Sequence, residues 1–323
     1  MTHSMNRRHL LALSASAATL APMGAWAQQA SFAKRPVRVV VPFAAGGATD
    51  VIARVLGERM AKTFGQAVVI DNKPGAAGLI GGEAVVKSPA DGLTALLGTT
   101  TTMLTNKYLY KKTSYDPQTE LLPLVRVCTA PICLVVTSDV PAKDLKEFMA
   151  WIKANKGKLS YGSYGIGSHG QLACATLSDV ADADMTHVAY KGEALMVQDM
   201  LGGNVKIGMG SMITLKPHID SGRLRALAVT GDRRVPLLPQ VPTFGEAGYK
   251  NEALALVGWL AIAAPRRCRP TSPSNGRRPP MPPWPAARAR PASSPRALCP
   301  WTTTRWRPLA RPGRAKARSG AGC

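Results

Sequence analysis

The chain has 323 residues and a formal charge of +22, 41 Lys and Arg against 19 Asp and Glu. That excess would ordinarily point to nucleic acid, but residues 266–323 hold 14 of the basic residues and no acidic one, which leaves 25 basic against 19 acidic groups in residues 28–265. The body therefore has an ordinary globular balance, no nucleic-acid partner is expected, and roughly 240 ordered residues are more than one comfortable core, so two lobes are predicted.

In chain order, Arg7-Arg8 precedes a mildly apolar run over residues 10–25 that ends in Ala25-Trp26-Ala27. This is the pattern of a signal peptide cleaved after Ala27, with Gln28 the first mature residue and the periplasm the destination. The run is too short and too weakly apolar to span a bilayer, which takes about 20 strongly apolar residues. The arginine pair resembles a twin-arginine signal, and the export route stays open.

Next comes the most informative stretch, residues 37–62. The apolar run Val37-Arg38-Val39-Val40-Val41 reads as a buried parallel strand. The turn Pro42-Phe43-Ala44-Ala45-Gly46-Gly47 follows, and Thr49-Asp50 opens an amphipathic helix carrying Val51, Ile52, Val55, Leu56 and Met60. Strand, glycine turn and helix N-terminus in that order build an anion cradle. Glycines allow close backbone approach, and the first N–H groups of a helix lack acceptors while its dipole favours negative charge. This turn is neither G-x-G-x-x-G nor a Walker loop, with no Lys-Ser/Thr after its glycines, which favours a carboxylate over a nucleotide.

The alternation continues. Strands are predicted at residues 68–70, 94–97, 132–136, 159–161, 185–190, 205–207 and 224–229, and helices at 79–87, 103–110, 144–154, 169–180, 193–201 and 213–221. Residues 231–249 hold three prolines and no period, so they form a long connection, and residues 254–264 read as a last strand. Strands alternating with helices imply parallel sheets and an α/β class. A second glycine loop, Gly162-Ser163-Tyr164-Gly165-Ile166-Gly167-Ser168, again joins strand to helix. On opposite lobes the two loops would face each other across a cleft at the carboxyl ends of strands, where open α/β sheets bind ligands.

Composition breaks at Pro265. Residues 266–323 carry 12 of the 26 prolines and half of the six tryptophans, and no Val, Ile, Phe or Tyr. Such a segment cannot bury a core and is expected to be disordered. Pro, Arg, Ala and Gly are what GC-rich codons yield out of frame, so the tail reads as a frameshift product, with a genuine basic tail as the alternative. Of six cysteines, Cys128, Cys133 and Cys174 lie in the body. Cys128 and Cys133 flank Pro131 and a disulfide between them is open, but buried thiols are favoured. No second Cys or His pair completes a zinc site, so no metal is expected.

Six motifs then occur in order. They are Val-Pro-Phe-x-x-Gly-Gly-x-x-Asp ending at Asp50, Asn72-Lys73-Pro74-Gly75-Ala76-Ala77-Gly78, Tyr115-Asp116-Pro117, the second glycine loop, Thr186-His187-Val188-x-Tyr190-Lys191-Gly192, and Leu224-Arg225-Ala226-Leu227-Ala228-Val229-Thr230. Together they resemble the solute receptors of tripartite tricarboxylate transporters, the Bug family of periplasmic binding proteins, over about residues 34–265. The resemblance implies a type II-like, two-lobe α/β binding protein that closes on a small carboxylate and delivers it to a carrier of one large and one small membrane subunit. It implies a monomer, no cofactor and no catalysis. Carried onto this chain, ligand contacts fall on Phe43, Ala44, Ala45, Gly46, Gly47, Thr49 and Asp50 of the first loop and on Gly162, Ser163, Gly165 and Ser168 of the second. Thr100 and Tyr190 complete the set. Lobe 1 is expected over residues 28–125, lobe 2 over 126–225, and a return to lobe 1 over 226–265. Three departures bear on the ligand: Gln171 stands where relatives usually have His, Glu193-Ala194-Leu195 replaces Gly-Ala-Pro, and Val205-Lys206-Ile207-Gly208-Met209 replaces Val-Asp-Leu-Met-Phe.

An exported α/β hydrolase is the competing class, and a receptor remnant disabled by the frameshift is another. Ser168 and His169 are adjacent, so their side chains diverge and cannot form a catalytic pair. His187 reads as a packed residue, Asp50 as a helix-dipole partner, and no G-x-S-x-G motif is present.

Overall fold

The computed structural model describes residues 35–267. The expected signal peptide and the Pro/Arg-rich tail after residue 267 lie outside the described residues. Two five-stranded sheets make two lobes. The first is ordered β2-β1-β3-β10-β4, from β1 (Val37–Val41), β2 (Val68–Asn72), β3 (Thr94–Thr99), β4 (Leu121–Ala130) and β10 (Gly258–Pro265). The second is ordered β7-β6-β8-β5-β9, from β5 (Ile132–Thr137), β6 (Ser160–Ser163), β7 (Thr186–Ala189), β8 (Ile207–Ser211) and β9 (Leu224–Val229). Helices cover both faces of each sheet, so each lobe has two apolar layers. In lobe 1 these lie under α1 (Ala48–Phe64) and α2 (Leu79–Val86). In lobe 2 they lie under α5 (Leu145–Ala154) with α6 (His169–Ala181), and under α7 (Glu193–Leu201) with α8 (Met212–Asp220). Two short helices, α3 (Asn106–Leu109) and α4 (Pro117–Glu120), precede β4, and α9 (Glu252–Ala255) precedes β10.

The sheets are mixed, which corrects the all-parallel expectation. β10 runs antiparallel to β3 and β4, and β5 runs antiparallel to β8 and β9. Both reversed strands enter their lobe directly from the other one, so they start at the hinge side and run against the strands that end there. β4 went unread as a strand because Pro123, Arg126 and Thr129 interrupt its apolar run, and pairing along β10 supplies what local pattern lacks. The first sheet keeps the chain to Ala130, and residues 226–257 stay with lobe 2, where Leu238, Val241, Phe244 and Leu254 are buried. The crossings therefore sit at Pro131 and just before Gly258, later than the expected positions near 125 and 225. The antiparallel pair Gly258–Ala130 and the bonds Thr230 N to Ile132 O (2.9 Å) and Ile132 N to Thr230 Oγ1 (3.0 Å) clamp them together.

Helix packing follows from residue size. α1 closes on β2 at Gly57, where an added Cβ would stand 3.2 Å from Ile70 and 3.4 Å from Val68, and it ends on Gly65 in the left-handed conformation. Leu260, Ala261, Ile262 and Ala263 are buried, because β10 is inserted between β3 and β4.

Cys133 is a buried free thiol that donates to Leu134 O at 3.4 Å, so it does not pair with Cys128. Burial pushes its thiol up to about 12, and Cys174 higher still. Peptides carrying Cys133 and Cys174 should stay unalkylated by iodoacetamide at pH 8 in native protein and react on unfolding. Mass spectrometry reads this, and rapid native labelling of either would contradict the burial.

Candidate functional site

Because each lobe carries the same strand order, the loops after the carboxyl ends of β1, β2, β3, β6 and β7 converge on one cleft. The first loop is built as its residues suggest. Gly46 takes φ 82°, and Gly47 is the N-cap of α1 with no side chain capping the helix. The N–H groups of the first helical turn are thus left for a ligand. Asp50 is turned inward, 3% exposed. Its Oδ2 accepts from Gly46 N (3.0 Å) and Arg54 Nε (2.9 Å), and its Oδ1 accepts from Asn72 Nδ2 (3.0 Å), which also reaches Phe43 O. Burial opposes ionisation of this carboxyl, but the Arg54, Gly46 and Asn72 hydrogen bonds prevail and hold it below its ordinary range. Asp50 shapes the cradle and does not face into it.

What faces the first loop is the start of α7, where the sequence reading had placed the second glycine loop. Ala44 N donates to Lys191 O at 3.1 Å across the cleft. A Cβ on Gly192 would lie 3.2 Å from Ala44 N, and one on Gly47 would lie 3.9 Å from Ala194 N. Gly192 is the N-cap of α7 and again no side chain caps that helix. Two uncapped helix N-termini, one per lobe, thus meet at Gly46-Gly47. Glu193 does not spoil the cradle with its charge, because its carboxylate is drawn to the start of α8. It accepts there from Ser211 N (3.0 Å), Ser211 Oγ (2.9 Å) and Thr214 Oγ1 (2.9 Å).

The second glycine loop is a wall, and its helix end is closed. Ser168 Oγ caps α6 by accepting from Gln171 N at 3.2 Å, and Ser168 is fully buried. Ser163 is also fully buried, with its Oγ 2.7 Å from His187 Nε2. Gly162 packs inward against Met196 and Tyr190. Gly165 (φ 144°) does face the cleft, where a Cβ would stand 3.4 Å from Ala77. Between the walls lies a cavity of about 140 Å³ lined by Phe43, Tyr110, Tyr164, Gly165, Ile166 and Tyr190, with the turn of residues 75–78 and Lys191. Phe43 and Tyr164 meet edge to face across it, 6.3 Å between centroids. Tyr190 is fixed by donating its hydroxyl to Asp199.

Of the sequence candidates, then, Phe43, Gly165 and Tyr190 line the cavity, and Ala44, Gly46, Gly47 and Thr49 lie at its cradle end. Ala45 is exposed beside them. Thr100 is committed elsewhere, its Oγ1 accepting from Trp259 N at 2.9 Å and pinning β10 to β3. The turn of residues 75–78 was missed as a wall. Ala76 and Ala77 hold φ 46° and 51°, a costly conformation for residues with a Cβ, and buried Asn106 fixes it by donating Nδ2 to Ala77 O at 3.0 Å. Its glycines, Gly75 and Gly78, were the available signal.

Ser163 and His187 form a Ser–His contact that spacing could not show, since only the β6–β7 register brings them together. It is not set up as a nucleophile: the Ser163 hydroxyl donates to Gly165 O at 3.0 Å and has no exposure. Among the described residues no group of His, Cys, Asp and Glu is arranged to hold a metal, and no helix is long and apolar enough to cross a membrane.

Comparison with known proteins agrees with the two-lobe fold. A family model described as tripartite tricarboxylate transporter family receptor matches residues 52–272, ending just past Pro265. A protein of the tcbD–tcbE intergenic region of a Pseudomonas species is 36% identical over 263 residues, covering 81% of this chain and 77% of that one. The periplasmic binding protein BugD superposes with a TM-score of 0.69 at 36% identity, over 73% of this chain and 78% of its own. An R. palustris protein solved with adipate gives 0.70 at 34%, over 73% and 78%. MatC of Rhodopseudomonas palustris, solved with bound malate, gives 0.68 at 31%, over 73% and 79%.

Proposed function

Because the chain belongs to the tripartite tricarboxylate transporter receptor family, we propose that it is a periplasmic receptor for a small carboxylate, held between the first glycine loop and the start of α7. The observation that carries this reading is the meeting of two uncapped helix N-termini from opposite lobes at Gly46-Gly47. Each offers N–H groups and a positive dipole end to the same anion. No cationic side chain is needed, because a hydrogen bond from an N–H to a charged group contributes roughly 1.5–3 kcal/mol. The cavity of about 140 Å³ suits a compact acid, and its aromatic walls suit an uncharged carbon chain beyond the carboxylate. The ligand bridges both lobes, so binding stabilises the closed arrangement, and release goes to a carrier of one large and one small membrane subunit.

A thermal-shift screen of malate, adipate, other di- and tricarboxylates, acidic amino acids and aromatic acids tests this. At a concentration of 100 times Kd a true ligand stabilises by about 2.7 kcal/mol, a rise of several degrees for a protein of this size. Turnover of an ester or amide substrate without any such shift would favour the hydrolase class. The composition break at Pro265 coincides with the end of the family match, which supports an altered reading frame beyond it. The screen is therefore run on the chain as written and on a frame-restored version. Binding by the second alone would identify the first as a disabled remnant.

A further inference from the structure

Behind the cavity wall, a hydrogen-bond relay fixes the second glycine loop with every proton assigned. Gly167 N can only donate, so the Gln171 atom it meets is Oε1. The other end of that amide, Nε2, is a donor and lies 3.1 Å from His187 Nδ1. His187 Nδ1 must then accept, which puts the imidazole proton on Nε2, and that proton goes to Ser163 Oγ at 2.7 Å. Ser163 Oγ in turn donates to Gly165 O at 3.0 Å and accepts from Gly165 N at 3.3 Å. Both ends of the relay grip the loop whose residues Tyr164, Gly165 and Ile166 line the cavity.

This arrangement admits only neutral His187. A protonated ring would turn an Nδ1–H onto the Gln171 NH₂. Rotating the amide to offer Oε1 would turn its NH₂ onto Gly167 N–H. Either way two donors face each other and one grip on the loop is lost. We propose that Gln171 and His187 are positioning residues that hold the cavity wall in its ligand-accepting shape only while His187 is neutral, so that carboxylate affinity falls on acidification. This rests on the carboxylate-receptor reading above. The surroundings of His187 fit it. Tyr161 of β6 stacks on the ring, 5.1 Å between centroids, and beyond that tyrosine lie Cys174 and Asp179 of α6. Burial alone lowers the imidazole's proton affinity, and no charged neighbour offsets it.

The test compares the parent chain with Gln171→Glu. A carboxylate at that position still accepts from Gly167 N and also accepts an Nδ1–H, so protonation no longer breaks the relay. Malate binding is measured by calorimetry from pH 8 to pH 5, the ligand's own titration being common to both proteins. The parent should lose about tenfold or more in affinity below the His187 midpoint, as one broken hydrogen bond with its buried donor left unpaired implies. The variant should lose much less, and its His187 midpoint, followed by long-range ¹H–¹⁵N spectra, should lie above the parent's. Identical affinity profiles, or a parent His187 protonated on Nδ1 when neutral, overturn the proposal. Failure of malate to bind the parent at pH 8 would count against malate as ligand and leave a ligand-free arm. Protection factors of the Gly165 and Gly167 amides, taken relative to the intrinsic exchange rate at each pH, should then fall on acidification in the parent and not in the variant, and equal behaviour would overturn the relay.

Discussion

Gly47→Val is expected to weaken carboxylate binding by roughly 100-fold, about 2.7 kcal/mol, while moving the thermal midpoint little. Gly47 has φ −79° and ψ 169°, which valine adopts readily. Its Cβ would be in ordinary contact, 3.7 Å from Ala44 O and 3.9 Å from Glu193 Cβ and Ala194 N. The two γ-methyls must then occupy the gap between the starts of α1 and α7. They would cover the N–H groups proposed to hold the anion and prop the lobes apart. One or two charge-assisted bonds lost at roughly 1.5–3 kcal/mol each give that magnitude. Calorimetric titration with the best ligand of the screen, alongside a melting curve, decides the matter. A variant that binds as tightly as the parent would show that the anion is held elsewhere.

Asp50→Ala is expected to be the most destabilising single change at the cradle, by about 2–4 kcal/mol and therefore by something like 5–15 °C in midpoint. It leaves Gly46 N and Asn72 Nδ2 without the acceptor they share, and Arg54 without its ion-pair partner. It also removes the negative charge from the first turn of α1, where the dipole favours it. Asp50→Asn, which keeps the shape and loses the charge, should fall between. The pH dependence has a fixed sign. The native carboxyl lies below its ordinary value of 3.8, so the contribution is complete above that pH and fades as pH falls beneath it. In denaturant melts the gap between parent and alanine variant should therefore narrow in strong acid toward the gap between the asparagine and alanine variants, and a gap that does not narrow would mean that Asp50 acts through shape alone.

Much of the site was legible in local pattern, because local pattern is what makes a cradle. The order of buried strand, Gly46-Gly47 and helix start at residues 37–50 needs no distant partner. The alternation of strands and helices fixed the α/β class, since hydrophobic period and turn chemistry act within a few residues. His187 is half-buried and stacked on Tyr161, outside the core its pattern suggested, and its hydrogen-bond partner is hidden from local pattern. Ser163 and His187 are 24 residues apart and meet only because β6 and β7 pair Tyr161 with His187.

The sequence by itself determined the first strand–turn–helix unit, the two-lobe class and the family. The tertiary structure decided which surfaces oppose one another. It set the start of α7, not that of α6, against Gly47, while Ser168 caps the α6 N-terminus from within. It also reversed β5 and β10 and moved the lobe crossings to Pro131 and the residues before Gly258. Cap occupancy, strand direction and crossing points depend on pairings between residues far apart in the chain. Local periodicity carries no record of those pairings, and only closing the sheets creates them.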